Sequence, residues 1–449
     1  MLRNAEIQPI GLDIGHDSVK LLQLEADGNS LRVRAAARQP LESTARGEQA
    51  IEAALESAAE MLDKGGFAGR AVVAALPRDI LHIKNVRLPL IPAAELPAAI
   101  SFEAKNIFSF DADEAHVEHL TAGEVRQSTD MRQEVIVMAA KREDVDAFVE
   151  RLDRVGFQVA SLDAEPCALY RSVERFIRRR DDEQEVNVLL DVGTRRTQVL
   201  IGRGRELSFY KPVDIGGQRL NESVAKRLGI NLDEARALRR RLALAANQAK
   251  GDGRVSDLRA KATAGSNDGQ EAISQAVNHA TRGTLEELGR EVSMCLRYYS
   301  VTFRGPGPAR VRLLGGEAND PNLSAVLQGV LSIAVEPGNP LHSVDCSAMK
   351  AEDRQGTMCE WAKALGLALK KTAGKFAAKD GRPRQTRQGL GEVIDLNQAI
   401  AGAAEAKTPA ELKAAAAEAI PGGEGRVVGA EGKAPVVENK TVMAEVFRA

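Results

Sequence analysis

Neither sign of charge predominates in this chain: 61 Lys and Arg stand against 63 Asp and Glu, for a net charge of −2. No overall field favours nucleic acid, and the local runs Arg178 to Arg180 and Arg239 to Arg241 read as solvated helix faces or domain rims. Cysteine is scarce. The four residues Cys167, Cys295, Cys346 and Cys359 lie far apart without a C-x-x-C pair, which predicts reduced, buried thiols and a cytoplasmic protein. Long apolar runs are missing as well: nothing approaches the roughly 18 consecutive apolar residues that span a bilayer, and the opening MLRNAEIQPIGLDIG has no signal-peptide core. Direct membrane insertion is not expected, so any membrane association is expected through a partner. What the chain does have is length. Its 449 residues, 44% hydrophobic, suffice for two or more domains with real cores.

One phrase occurs twice, as GLDIGHDSVK at Gly11 to Lys20 and as LLDVGTRRTQVLI at Leu189 to Ile201. Each copy puts an Asp, Asp13 or Asp191, at the end of an apolar strand, with Gly15 or Gly193 two residues on and a second strand after that. Such a turn can hold a phosphate: the Gly admits the anion close to the backbone, successive N–H groups can point at it, and the Asp can orient a hydrated cation. A single Asp-x-Gly is also a common hairpin turn. Two copies point to two halves closing on one nucleotide.

Around the first copy, strands are expected at Pro9 to Leu12, Val19 to Leu24 and Leu31 to Ala37, then a helix over Gly47 to Leu62 and a buried strand at Ala71 to Leu76. A small α+β unit follows, with an extended Ile83 to Leu90, a helix over Ala93 to Ile107, strands near His116 to Leu120 and Val135 to Ala140, and a helix from Arg142 to Val155 ended by Gly156. His116 and His119 stand three apart in a strand, on opposite faces, which argues against a metal pair. A strand at Val159 to Leu162 and the helix PCALYRSVERFI lead back to the first unit.

The second copy continues as a hairpin through Glu206 to Val213 to Gly216-Gly217, which precede an amphipathic helix over Leu220 to Leu228. Helices near Asn231 to Ala245 and Glu271 to Tyr299 flank a polar stretch, Gln248 to Gln270, read as a mobile loop. A strand at Ala309 to Leu314 runs into Gly315-Gly316-Glu317, with a helix opening at Pro321. Glycine pairs at the carboxyl end of a strand are where open α/β sheets bind ligands. A strand at Ser332 to Val335 and a helix over Cys359 to Leu369 close the globular part, and Thr372 to Ala449 reads as a largely disordered tail.

This order of elements resembles the actin and Hsp70-like ATPase superfamily and, within it, the PilM family of type IV pilus assembly proteins, relatives of the cell-division protein FtsA. The blocks that carry the resemblance are GLDIGHDSVKLLQL, NVRLPLIPAAELPAAISFEAKNIFSF, VMAAKREDVDAFVERLDRVGFQVASLDAEPCALYR, KPVDIGGQRLNESVAKRLG and VRLLGGEANDPNLSAVL, spread over Glu6 to Leu369. The resemblance implies a two-lobed α/β actin-like (ribonuclease H-like) fold. The first lobe would comprise 6–82 and 157–184, an FtsA-type insert 83–156, the second lobe 185–230 and 305–371, a helical insert 231–304, and a tail 372–449. It also implies ATP and Mg²⁺, with Asp13 and Asp191 holding the metal through water and positioning the phosphates. Gly15, His16, Asp17, Ser18 and Lys20 would line the β-phosphate, and Gly193 and Thr194 the γ-phosphate. Gly216, Gly315, Gly316 and Glu317 would lie by the ribose and adenine, with Glu222 or Lys226 reaching the base edge.

The implied partner is the N-terminal cytoplasmic tail of a PilN-type inner-membrane protein, held in a groove between the first lobe and the insert. The chain would then be an adaptor, peripheral at the inner membrane, that links the platform to the cytoplasmic motor ATPases. Two departures weigh against hydrolysis. His16-Asp17 and Arg195-Arg196 stand where the family usually carries small hydroxyl residues, and Asp17 is expected to repel phosphate unless it faces the metal. No catalytic base is identifiable. Alternatives are an FtsA-like membrane or division scaffold and an actin-fold small-molecule kinase. The tail segment Val393 to Asn397, similar in flavour to a PilN tail, could occupy the chain's own groove or a neighbour's as an extended strand.

Overall fold

A computed structural model describes residues 6–27, 30–41, 48–127, 129–251, 267–304 and 307–370. The chain begins with β1 (Glu6–Ile7), β2 (Ile10–Ile14), β3 (Ser18–Asp27) and β4 (Ser30–Pro40), followed by α1 (Glu48–Lys64) and β5 (Ala71–Ala75). β2 and β3 are buried almost throughout, as strands covered on both faces must be, whereas β4 alternates exposed and buried residues. α1 turns Ile51, Ala54, Leu55, Ala58 and Leu62 to the sheet at helical spacing. Next come β6 (His82–Pro89), α2 (Leu96–Ile107), β7 (Ala115–Gln127), β8 (Asp130–Lys141), α3 (Arg142–Arg154), β9 (Gln158–Asp163) and α4 (Glu165–Glu174).

The second half carries β10 (Val186–Val192), β11 (Thr197–Arg203), β12 (Glu206–Val213), α5 (Gly217–Leu228), α6 (Leu232–Gly251) and α7 (Asn267–Phe303). It continues with β13 (Arg310–Leu314), α8 (Pro321–Leu331), β14 (Ala334–Pro337), β15 (Val344–Asp345) and α9 (Ala362–Ala368). Gly229, at φ +67°, ends α5 and donates its N–H to Ala225 O. Asp320 caps α8 through Asn322 N, with Pro321 at the first turn.

Two of the sheets repeat one plan. In the first, β2 is antiparallel to β3 and parallel to β5, and the order runs β15-β4-β3-β2-β5-β9. In the second, β10 is antiparallel to β11 and parallel to β13, in the order β12-β11-β10-β13-β14. The two Asp-x-Gly turns thus sit at equivalent corners of equivalent sheets. A third sheet, β6-β8-β7, belongs to the small unit. Arg87 of β6 pairs with Glu134 of β8 and also donates to the Tyr298 hydroxyl of α7 at 3.2 Å, which fastens this sheet to the second half.

The expected boundaries shift in three places. α3 was assigned to the insert, yet its Val145, Phe148 and Leu152 join Leu12, Leu55 and Leu62 in the core over the first sheet. Residues 339–370, assigned to the second lobe, return to the first sheet instead: β15 pairs with β4, and Trp361 and Leu365 pack with Leu22 and Leu24 on the face opposite α1. The physical reason is that this face of β2 and β3 is apolar and is buried by Trp361, Leu365 and Ala368. The ends of the expected loop 248–270 are helical, being the last turn of α6 and the first of α7, and the rest of that loop lies outside the described residues. The tail, including Val393 to Asn397, also lies outside them.

Candidate functional site

The two repeated turns close identically. Gly15 N donates to Ser18 O at 3.0 Å and Gly193 N donates to Arg196 O at 2.9 Å, so each forms a two-residue hairpin with its amides gathered at the tip. The tips face one another: Thr194 of the second hairpin lies close enough to Asp17 of the first to help hold its carboxyl below the ordinary value. Both line a single cleft of about 770 Å³. Asp13, Gly15, His16, Asp17, Ser18 and Lys20 enter it from the first hairpin, Asp191, Gly193 and Thr194 from the second, and Gly315, Gly316 and Glu317 from the β13–α8 loop.

Gly315 binds that loop to the second hairpin. Its φ is +87°, and a Cβ there would lie 2.6 Å from Val192 O and 2.7 Å from Asp191 Oδ1. Only glycine allows this approach. Gly216 serves a similar end without lining the cleft, since a Cβ would meet Gly193 O at 2.6 Å. Behind it, Gly217 N and Gln218 N donate to the carbonyls of Gly193 and Thr194, which seats the start of α5 on the hairpin.

At the base of the cleft the acidic groups are held by cations. Lys20, the register partner of Asp13 on β3, donates to Asp13 Oδ2 at 3.0 Å. Lys363 of α9 lies 2.9 Å from Asp13 Oδ1 and 2.7 Å from Glu165 Oε1, at the start of α4. Burial pushes the Asp13 carboxyl up, but the two lysines outweigh it and hold it below its ordinary value. Burial likewise works against Lys363, and the charges of Asp13, Glu165 and Asp191 carry it well above the usual lysine range. Asp191 has no lysine in contact. It accepts from Gln198 Nε2 at 3.1 Å, and burial raises its pKa to about 6 against the pull of Lys363.

The mouth of the cleft is rich in arginine. Arg236 and Arg240 of α6, one turn apart, both reach Asp17 Oδ2, and His16 Nδ1 lies 2.8 Å from Asp17 Oδ1. Burial would raise the Asp17 pKa, yet His16, Arg236 and Thr194 bring it down to about 2. The expectation that Asp17 repels phosphate is therefore corrected, because its charge is already paired with guanidinium groups. The reading of Arg239 to Arg241 as a solvated face is corrected too. Arg239 is buried and donates to Asn221 Oδ1 at 2.7 Å, Glu317 Oε2 at 2.7 Å and Asp320 Oδ2 at 3.1 Å. Glu222 and Lys226 do not reach the cleft: both are exposed on α5, where Glu222 accepts from Gln218, and Asn221 is the residue of that helix that lines the cleft. Glu165, Lys363, Arg236 and Arg239 went unread because each comes from a helix distant in sequence. The one available signal was the helical spacing of Arg236 and Arg240.

A nucleoside triphosphate fits this cleft in volume and in the chemistry of its lining, with hairpin amides, lysines and arginines for the phosphates. A water-held Mg²⁺ on Asp13 and Asp191 does not. Lys20 and Lys363 lie 3.0 and 2.9 Å from the two Asp13 oxygens, so two ammonium charges already stand where the ion would, and among the described residues no cluster of three or more His, Cys, Asp or Glu is placed to hold a metal ion. The four cysteines are free thiols; Cys295 and Cys359 are buried, Cys167 and Cys346 are half-buried, and Cys359 is the one of the four that lines the cleft.

Among solved structures, the PilM-PilN type IV pilus biogenesis complex is similar to this chain at a TM-score of 0.63 and 24% identity, over 81% of this chain and 98% of that one. The ethanolamine utilization protein EutJ from Carboxydothermus hydrogenoformans aligns at a TM-score of 0.45 and 14% identity, over 81% and 89% of the two chains. The first likeness, with the repeated sheets, identifies the two-lobed actin-like fold. No helix among the described residues is long and apolar enough to cross a membrane. Residues 11–250, more than half of the sequence, match the family described as type IV pilus assembly protein PilM, and the chain belongs to that family.

Proposed function

We propose that this chain is a nucleotide-binding adaptor of type IV pilus assembly, which holds the N-terminal cytoplasmic tail of a PilN-type inner-membrane protein and links that platform to the cytoplasmic motor. The observation that carries the reading is the meeting of two Asp-x-Gly hairpins, one from each sheet, across one cleft through Asp17 and Thr194. Phosphates of ATP lie against the amides of Gly15 to Ser18 and of Gly193 and Thr194, and the base lies toward Gly315, Gly316 and Asn221. Turnover is weak or absent in this reading.

Membership of the PilM family supports the pilus role, and the similar solved structure is a PilM-PilN complex. Two features suit an extended peptide. β6 is an edge strand of the third sheet, and a smaller cleft of about 180 Å³ opens beside it, lined by Leu76, Leu81, Ile83, Tyr210 and Pro212. Residues 83–156 then act, apart from α3, as the FtsA-type insert.

Fluorescence anisotropy of a labelled PilN-type N-terminal peptide tests the partner. Binding by the wild-type chain and its loss on Ile83→Arg are expected, together with loss of membrane co-sedimentation when the PilN-type protein is deleted. Membrane binding that persists without that protein overturns the adaptor in favour of a direct membrane scaffold.

A further inference from the structure

Lys363 stands at the junction of every acidic group in the base of the cleft. Its ammonium touches Asp13 of β2 and Glu165 of α4, and the charge of Asp191 on β10 acts on it as well. The side chain is 14% exposed, so this is an interior cation and not a surface lysine that happens to point inward. Its backbone is fixed by packing. Trp361 and Leu365 lie in the core over the first sheet, and Gly366 presses on α4 so closely that a Cβ would meet Ala168 O at 1.7 Å. The lysine is therefore delivered to one place at the base of the cleft by a helix that cannot shift without unpacking the core over the first sheet.

A magnesium ion asks for something different. It needs near-octahedral oxygen ligands at about 2.0–2.1 Å, some of them waters that are themselves hydrogen-bonded to carboxylates. Lys20 lies 3.0 Å from one Asp13 oxygen and Lys363 2.9 Å from the other, so two ammonium charges already neutralise this carboxylate, although its Oδ1 accepts no hydrogen bond. Asp191 gives one oxygen to Gln198, which also bonds Glu165. A divalent ion placed here would sit against the ammonium of Lys363 and be repelled by it.

We propose that Lys363 takes the place of the divalent cation, so that a nucleoside triphosphate binds this chain without metal, its phosphates neutralised by Lys363, Lys20 and the arginines of the cleft. This rests on the nucleotide-binding reading above and goes beyond it by fixing the ionic form of the ligand: the free triphosphate, not its magnesium complex. No bond is made or broken. The ammonium that hydrogen-bonds Glu165 and neutralises Asp13 turns part of its hydrogen-bonding to the incoming phosphate oxygens.

The test is an equilibrium titration of the full chain, freed of nucleotide, with a fluorescent ATP analogue in EDTA and in magnesium chloride. Wild-type Kd is expected to differ by less than about threefold between the two conditions. Lys363→Met is expected to lose about tenfold or more in EDTA and to recover with magnesium, while Lys363→Arg, which keeps the charge, still binds in EDTA. A wild-type affinity that falls about tenfold or more in EDTA but persists in magnesium overturns this inference and leaves the nucleotide site standing. Lys363→Met binding as well as wild type in EDTA also overturns it. No binding under either condition removes the nucleotide reading itself. The wild-type comparison requires no variant, so a folding failure of Lys363→Met does not blunt the test.

Discussion

Asp17 at the tip of the first hairpin and Arg240 of α6 lie 3.4 Å apart across 223 positions of sequence, and Arg236 bonds the same carboxylate oxygen from one turn earlier on the helix. The link spans the mouth of the cleft.

If this pairing holds the cleft shut, Arg236→Ala with Arg240→Ala should speed nucleotide release about tenfold, since two half-exposed ion pairs together contribute on the order of 1.4 kcal/mol. Stopped-flow chase of a fluorescent nucleotide measures it. An unchanged off-rate means that the arginines do not latch the lobes.

Asp191 carries a pH dependence. Its pKa is raised from 3.8 to about 6, chiefly by burial, so its contribution to stability is fully present below pH 3.8 and lost as pH rises through about 6. Asp191→Asn removes that loss, and its unfolding free energy should exceed wild type by on the order of 3 kcal/mol at neutral pH, with the gap closing toward pH 4. Urea denaturation across this range reads it; a gap that stays constant with pH refutes the assignment.

Gly315→Val combines a left-handed backbone with a collision at Val192 O and Asp191 Oδ1. The cost should be roughly 2 kcal/mol or more, with nucleotide affinity lost in whatever fraction remains folded. Chemical denaturation beside nucleotide titration measures both.

Arg171 of α4 is buried against Asp163, at 2.7 Å, and donates to Gly366 O at 2.9 Å, which ties β9, α4 and α9 together. Arg171→Met should destabilise the fold by about 3 kcal/mol by leaving the Asp163 charge short of its partner, and adding Asp163→Asn should recover most of that loss. A double-mutant cycle by calorimetry or denaturant checks the coupling; additive losses mean the pair is not coupled.

The repeated phrase was legible in the chain because a hairpin is a local object. Asp13, Gly15 and Lys20 meet through the register of two adjacent strands, and the same holds for Asp191 and Gln198. The strand-Gly-Gly loop at Gly315 was legible for the same reason. Glu222 and Lys226 were misplaced because amphipathic spacing gives a helix its buried face but not the rotation that chooses Asn221 for the cleft. The apolar stripe of α3 fits any sheet of suitable width, and the chain's path between β8 and β9 lays it beside Leu12 and Leu55 of the first lobe as well as Met138 and Ala140 of β8.

Sequence alone determined the two phosphate-type turns, the alternation of strands and helices around each and the family they belong to, since all of these rest on contacts between near neighbours in the chain. Tertiary structure alone decided that α9 returns to the first sheet and sets Lys363 on Asp13 and Glu165, and that α6 closes Arg236 and Arg240 on Asp17. Charges paired across some 200 positions leave no periodicity to read; they meet because burying the apolar faces of those helices fixes where their polar sides point.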